Sequence, residues 1–265
     1  MAGEAKTSAF LLSSATIMLG PRANLMSLTP DAHSIGLVKN IQVTTDPSTV
    51  VLTQGTQNTE VSAVTNGNPA RIAAEVYEYS ARNLAYGALL DATGVGFDPI
   101  VASYALGTAI ASGGTTVVVG AGQGTNFNVG DFLVLADINI PDRVHVGKVA
   151  SKTTDTLTLD AAYAMPVGMA WAIASTTIYK VNMIKVGAVA KQPTFALKMV
   201  GNLPESGEPV TVLFPKVRIT KGISLAFQTD NFSNMPFEFA PMALLSGDSF
   251  YSDFGSLKTW MIATR

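Results

Sequence analysis

The chain has 265 residues, no cysteine, 14% charged residues and a formal net charge of −2. The lack of cysteine excludes disulfides and thiol chemistry, and the slightly acidic balance disfavours a strong nucleic-acid binder. No run of about 20 predominantly apolar residues predicts a membrane span, although the mean hydropathy is +0.31. Ordinary soluble domains carry roughly 25% charged residues, so the low charge favours a surface buried against other subunits. The alternative is a β domain whose surface is rich in Thr, Asn and Ser.

The N-terminal part of the chain predicts an arm followed by two strands. This N-terminal arm is predicted over residues 1–13 and is distinct from the hairpin described below. Its apolar run Ala9–Leu12 is too short for a signal-peptide core, so we expect an intracellular product. A short strand is predicted at Ala15–Leu19 and a longer one at Gly36–Thr45. One face of the longer strand carries Leu37, Ile41 and Val43.

A long polar stretch, Thr53–Asn68, follows these strands. Glu60 is its one charged residue, and it ends with the turn signal Asn66-Gly67. It predicts a long hairpin or projecting loop. Its low charge favours burial in an assembly, and the alternative is an ordinary mobile surface loop.

One helix is predicted over Pro69–Leu90, with Asn68 as its cap. Its charged residues recur at spacings that place them on one narrow stripe: Arg71, Glu75, Glu78 and Arg82. A strip of small residues, which includes Ala74 and Ala81, would let another backbone approach closely. Both surfaces are candidate inter-subunit contacts. The alternative for the charges is i,i+4 pairing on a solvated helix face.

The sequence changes in character over residues 101–175, where short apolar runs alternate with turn signals. The segment VGDFLVLAD and the two runs after it have the pattern of an SH3-like barrel, so an inserted small β domain is predicted there. Its predicted strands are Thr115–Val119, Phe132–Ala136, Val144–Ala150, Thr156–Leu159 and Ala170–Ala174. Residues 1–100 and 176–265 then form the main β core. The predicted fold is mainly β: an antiparallel β-sandwich or barrel with one flanking α-helix and an inserted small β-barrel-like domain.

Catalytic and metal-binding patterns are weak in this chain. Neither His33 nor His145 has a second ligand at metal spacing. The run Gly120–Gly124 superficially resembles a dinucleotide loop, but its third glycine is one position early and a strand rather than a helix is predicted to follow. A flexible turn is therefore predicted. We expect no catalytic residue, metal or cofactor, and an enzyme is the weakest of the function classes.

Two regions carry a family resemblance. The strand VKNIQVTTD, a polar loop and the run ARIAAEVYEYSARNLAYGALL occur in that order, and a PKVRI segment before an F-x-x-x-P-F-E-F run lies within Val210–Leu244. The middle run has an E-x-x-E-Y-[ST]-x-x-N-L texture, formed by Glu75, Glu78, Tyr79, Ser80, Asn83 and Leu84. In this order, residues 36–91 and 176–245 resemble the tail tube, or major tail, proteins of tailed bacteriophages. The insert lies outside the resemblance.

The resemblance implies a structural role and several partners. Six copies would close a ring, and rings would stack into a hollow tube through which DNA passes during ejection without specific binding. The other partners would be tail proteins such as a terminator, a baseplate or tip, and possibly a sheath. The protein would be made in the host cytoplasm and act in the virion tail. The loop before the helix would contact the adjacent ring, here through Thr56, Gln57, Asn58, Glu60, Val61 and Val64.

Two alternatives stay open beside this hypothesis. One is another ring-forming virion component, such as a tail terminator, a baseplate ring or a decoration protein. The other is a β-barrel module that binds a small ligand or glycan through the insert.

Overall fold

The computed structural model describes residues 15–54, 58–67, 69–93, 102–187, 191–203, 207–224 and 232–263. Over these residues the protein is mainly antiparallel β-sheet, which confirms the predicted fold class. The chain divides into two compact units, the first formed by Met1–Val95 with Lys185–Arg265 and the second by Gly96–Ile184. Within the described ranges, no helix is long and apolar enough to cross a membrane.

The elements have the following bounds in chain order. The strands are β1 (Thr16–Gly20), β2 (Val38–Thr45), β3 (Ser48–Gln54), β4 (Thr59–Gly67), β5 (Ala70–Val76), β6 (Ser103–Ala105), β7 (Thr116–Val118), β8 (Phe132–Asp137), β9 (Ile140–Thr153), β10 (Thr156–Leu159), β11 (Thr176–Val181), β12 (Phe195–Asn202), β13 (Pro209–Lys221), β14 (Met235–Pro241) and β15 (Trp260–Ala263). The described helices are α1 (Pro30–His33), α2 (Ala81–Gly87) and α3 (Tyr251–Phe254).

The first unit is built on a seven-stranded sheet in the order β1-β12-β13-β14-β5-β2, with β15 paired to β13. Burial alternates along β5 and β14, as expected for strands with one face on a core. Helix α2 packs near this core, where the Tyr86 and Phe195 rings meet edge to face at 5.2 Å. The buried side chains of the two strands are Ala70, Ile72, Ala74, Val76, Met235, Phe237, Phe239 and Pro241.

The helix predicted over 69–90 is wrong in its first part. Ala70–Val76 is strand β5, which pairs with β14 on one side and β2 on the other. The helix begins only at Ala81, and its cap is Ser80, whose hydroxyl accepts the Asn83 amide at 3.2 Å. Asn68 therefore does not cap it. The local sequence ARIAAEV fits both structures, because residues four apart share a face on a strand and on a helix.

The strand predicted at Gly36–Thr45 is confirmed as β2, which begins at Val38. Its predicted apolar face is wrong. The pairing with β5 shifts between Lys39 and Gln42, and Asn40 between them has a φ of 52°. This bulge breaks the simple alternation, and Leu37 and Val43 remain 60% and 42% exposed.

The second unit is a six-stranded sheet in the order β6-β11-β8-β9-β10-β7. Its two outer strands meet, because the Gly107 amide donates to Val118 at 2.7 Å and the Gly120 amide donates to Ala105 at 2.9 Å. These bonds connect the ends of the sheet around one core. The core is formed by Leu106, Ile110, Val117, Val119, Phe127, Leu133, Leu135, Val149, Leu157, Leu159, Met165, Trp171 and Ile178.

Two sequence boundaries in this unit need correction. Ala170–Ala174 is not a strand, since Trp171 makes only an isolated bridge to Ile110. Thr176–Val181 is β11, which pairs with β6 and β8 rather than with the main core. The second unit consequently runs to Ile184 instead of ending at residue 175.

Candidate functional site

A two-stranded extension projects from the main sheet, and we call its strands β3 (Ser48–Gln54) and β4 (Thr59–Gly67) the arm and their outer ends at Gln54 and Thr59 its tip. At its base the Asp46 amide donates to the Pro69 carbonyl at 3.0 Å, where the β2–β5 ladder gives way to β3–β4. The seven residues of β3 extend the arm by about 20 Å. Among the described strands, β3 and β4 pair only with each other. The predicted projecting hairpin is present, but it starts earlier than expected, at Ser48.

The arm has an apolar face that no part of the described chain covers. In the register, Val50 lies opposite Val64 and Leu52 lies opposite Ser62, so these four side chains share one face. Val50, Leu52 and Val64 are 59%, 65% and 65% exposed. An isolated two-stranded hairpin is marginally stable in water, and an exposed apolar strand pair is prone to pair with another chain. This face is the strongest candidate contact surface in the first unit.

The described loop contacts are spread along the arm, from Asn58 and Glu60 near its outer end to Val64, which lies opposite Val50 nearer its base. Asn58, Glu60, Val61 and Val64 are exposed, whereas Thr56 and Gln57 lie outside the described residues. In the β3–β4 register, Leu52 lies opposite Ser62 and the next residue, Thr53, lies opposite Glu60. Val61 has no partner in this register and is therefore the extra residue of a bulge. Val50 and Leu52 were not predicted as contacts, because the predicted stretch began at Thr53, after both of them.

The four predicted stripe charges do not share a stripe. Arg71 and Glu75 lie on the outer face of β5, opposite Thr44 and Lys39 of β2. Glu78 is in the segment after β5, and Arg82 is on α2, where its guanidinium donates to the Ala32 carbonyl. The stripe depended on a continuous helix, so it is lost with that helix.

Glu75 is held within its own chain. Its carboxylate accepts the Tyr77 hydroxyl at 3.0 Å. Hydrogen bonds from Asn40 and Tyr77 lower the pKa of Glu75, and the Glu75 bond raises the pKa of Tyr77. The Lys39 ammonium lies 4.9 Å from the Tyr77 ring centroid. These contacts fix the end of β5 against β2.

The two predicted small residues occupy different environments. Ala74 is 3% exposed and lies opposite Phe237 in the sheet, so it belongs to the core of its own subunit. The prediction that Ala74 forms an inter-subunit contact is therefore wrong. Ala81 is half-buried at the first position of α2.

A groove lies on the outer face of the main sheet beside the base of the arm. Its main cavity measures about 710 Å³. Two adjoining concavities of about 330 and 320 Å³ share lining residues with it. Its walls combine small apolar residues with cations and one acid: Pro69, Ala70, Arg71, Arg218, Thr220, Glu238, Ala240, Pro241, Met242, Ala243 and Lys258. We call this surface the groove.

Two acids line the groove, Glu238 in the main cavity and Asp46 in an adjoining concavity. Glu238 is engaged by Lys221, whose ammonium lies 3.6 Å from its carboxylate. Within the described parts of the chain, neither Arg71 nor Arg218 forms a salt bridge. Exposed guanidinium groups of this kind can pair with a carboxylate from outside the molecule.

The glycine-rich run of the second unit is a closed structural turn. The Asp155 carboxylate accepts the Gly122 amide at 2.9 Å and the Gly124 amide at 2.8 Å. These bonds lower the pKa of Asp155. The amides that would face a phosphate are already bonded to a carboxylate, which would also repel an anion. A short 3-10 turn at Gln123–Asn126 follows instead of a long helix.

The histidines have local partners. The His33 Nδ1 atom accepts the Thr29 amide at 3.2 Å, and His145 Nε2 lies 3.0 Å from the Tyr163 carbonyl. In the portion of the chain that the structure describes, no three His, Cys, Asp or Glu side chains form a group that could hold a metal.

No model of a known protein family matches the chain, and a search of curated proteins gives no significant match.

Proposed function

We propose that this chain is a structural subunit of a phage tail tube, which self-assembles into stacked hexameric rings around a conduit for DNA. The observation that carries the proposal is the arm, a hairpin of about 20 Å whose apolar face is exposed in the single chain. Such a surface is stable in water when another copy covers it. The family resemblance of residues 36–91 and 176–245 supplies the type of assembly.

Self-assembly is consistent with the low charge of the chain, because interfaces are depleted in charged residues. In the proposed tube the arm contacts the neighbouring ring. The other proposed partners are further tail proteins, and DNA passes through without specific binding. The proposed location is the virion tail.

Negative-stain microscopy of the purified full-length chain tests the proposal. We expect rings or hollow tubes at high protein concentration. A particle that stays monomeric at every concentration, with and without a tail-tip extract as nucleus, would contradict the proposal.

The arm is tested by the triple substitution Val50→Thr, Leu52→Thr and Val64→Thr, which keeps β-propensity but removes apolar contact. Each side chain is about 60% exposed, so its burial by a neighbour is worth about 1 kcal/mol. The three changes should weaken each contact by about a hundredfold, measured by sedimentation velocity, and leave the far-UV circular dichroism spectrum unchanged. The matched control is Val167→Thr, which alters a side chain that is 93% exposed in the second unit. Normal tubes from the triple variant would show that the apolar face is not the contact.

A further inference from the structure

We propose that the groove on the main sheet receives the tip of the arm from a second copy of this chain. This inference rests on the proposed function, since it requires that copies associate through the arm. It goes further by naming the receiving surface and the residues that recognise the tip.

The first argument is charge. The groove presents Arg71 and Arg218, neither of which forms a salt bridge with an acid of the described residues, and Asp46 lines its adjoining concavity. Its one lining acid in the main cavity, Glu238, already has Lys221 at 3.6 Å. A ligand for this surface should therefore carry an isolated negative charge. Residues 48–67 contain one charged side chain, Glu60, and it lies close to the tip in register with Thr53.

The second argument is the chemistry of the walls. Pro69, Ala240, Met242 and Ala243 give the groove an accessible apolar lining between its cations. The arm offers apolar side chains on the face opposite Glu60, among them Leu52 and Val64. A hairpin inserted into a groove is contacted on both faces. The apolar face and the carboxylate can therefore both be buried by the same surface.

The third argument is reach. Pro69 and Ala70 line the groove and stand at the base of the arm of the same copy. The tip lies about 20 Å from that base along β3, so it cannot fold back into its own groove while the strands are paired. The occupant must come from another copy. Because the arm and the groove are different surfaces, each copy inserts its arm into one neighbour and receives the arm of another. Such heterologous contacts generate rings or continuing stacks.

A charge exchange tests the pairing. Glu60→Lys alone and Arg218→Glu alone should each weaken self-association about tenfold, and the double variant should recover to within about threefold of the original chain. Sedimentation velocity over a concentration series provides the measurement. The matched control is Asp142→Lys, which reverses an exposed acid in the second unit and should leave association unchanged. Single variants that associate normally, or a double variant weaker than both, would overturn the inference.

Cross-linking separates this inference from the proposed function. The chain has no cysteine, so Thr59→Cys in one sample and Ala243→Cys in a differently tagged sample can be mixed and joined by a short bismaleimide. We expect a mixed dimer between the two samples, and none when Val167→Cys replaces Ala243→Cys. Tubes without the mixed dimer would overturn the groove assignment alone. A mixed dimer without rings or tubes would support the groove and contradict the tail tube. Absence of both would overturn both.

Discussion

At the scale of single residues, Asp248 is the centre of a largely buried electrostatic cluster in the first unit. Its carboxylate accepts Lys216 Nζ at 2.6 Å and the Leu245 amide at 2.9 Å, and it also pairs with the Arg22 guanidinium. The Asp248 and Lys216 side chains are each 11% exposed. The hydrogen bond from Lys216, with those from Leu245 and Arg22, holds the pKa of Asp248 well below its usual range. The cluster ties β13 to segments far away in sequence.

Asp248→Asn should lower the free energy of unfolding by about 3 kcal/mol at pH 7, because it leaves the Lys216 ammonium largely buried without a counter-charge. The folded-state pKa is depressed, so the stability from Asp248 is present above its unfolded pKa and is lost as pH falls through the acid range. The deficit of the variant should therefore begin to shrink below about pH 5 and continue to shrink as the pH falls towards the depressed folded-state pKa of Asp248. Urea unfolding at each pH gives the measurement.

The control for this prediction is Asp253→Asn, an exposed acid that should change stability by less than about 0.5 kcal/mol. The double variant Asp248→Asn with Lys216→Met removes both buried charges and should regain most of the loss. A constant deficit across pH would show that the ion pair is not its source.

At the scale of elements, the sequence identified the arm but misassigned β5. The arm could be predicted in outline, because a long polar stretch with a single charge follows a predicted strand and ends in a turn signal. Strand β5 could not, because ARIAAEV satisfies the helical and the extended pattern equally. The extended conformation of this segment is selected by its neighbours, because β2 hydrogen-bonds to one edge of β5 and β14 to the other. Such pairing is non-local, so the sequence of the segment itself does not reveal it.

The groove escaped sequence reasoning for the same reason. Arg71 lies on β5, far in the chain from Arg218 on β13 and Glu238 on β14, and the three strands are adjacent in the sheet. The order of the strands in the sheet brings these side chains together, and that order cannot be read from the pattern of a single sequence. The glycine-rich turn shows a related limit. Its location could be predicted, but its partner Asp155 lies about thirty residues downstream.

The turn at Gly120–Gly124 yields a prediction of its own. Asp155→Ala removes the acceptor of two amides, so Gly122 and Gly124 should exchange their amide hydrogens at least about tenfold faster. Asp155→Asn retains one side-chain oxygen and should have a smaller effect. Hydrogen exchange followed by mass spectrometry or NMR provides the readout, with Asp142→Ala as the control. Unchanged protection at both glycines would show that the turn holds without the carboxylate.

At the scale of the whole molecule, each unit has a core built from its own residues. The core of the second unit takes all its members from residues 106–178, and the β1–β12 cluster of the first unit takes its members from residues 18–28, 196 and 213. A chain with separate cores need not unfold in one step. Stability should then be assigned to each unit rather than to the protein.

Leu133→Ala and Leu197→Ala test this organisation with the same chemical change. Both leucines are fully buried, one in the second unit and one on β12 of the first. Each substitution should cost about 3 kcal/mol through lost apolar contact and a residual cavity. The same loss shifts the midpoint by roughly 10–20 °C in the smaller second unit and by roughly 5–10 °C in the larger first unit. Differential scanning calorimetry should show Leu133→Ala lowering one transition and Leu197→Ala the other. If either variant moves both transitions equally, the two cores unfold cooperatively, and the arm and groove would then depend on the integrity of the inserted domain.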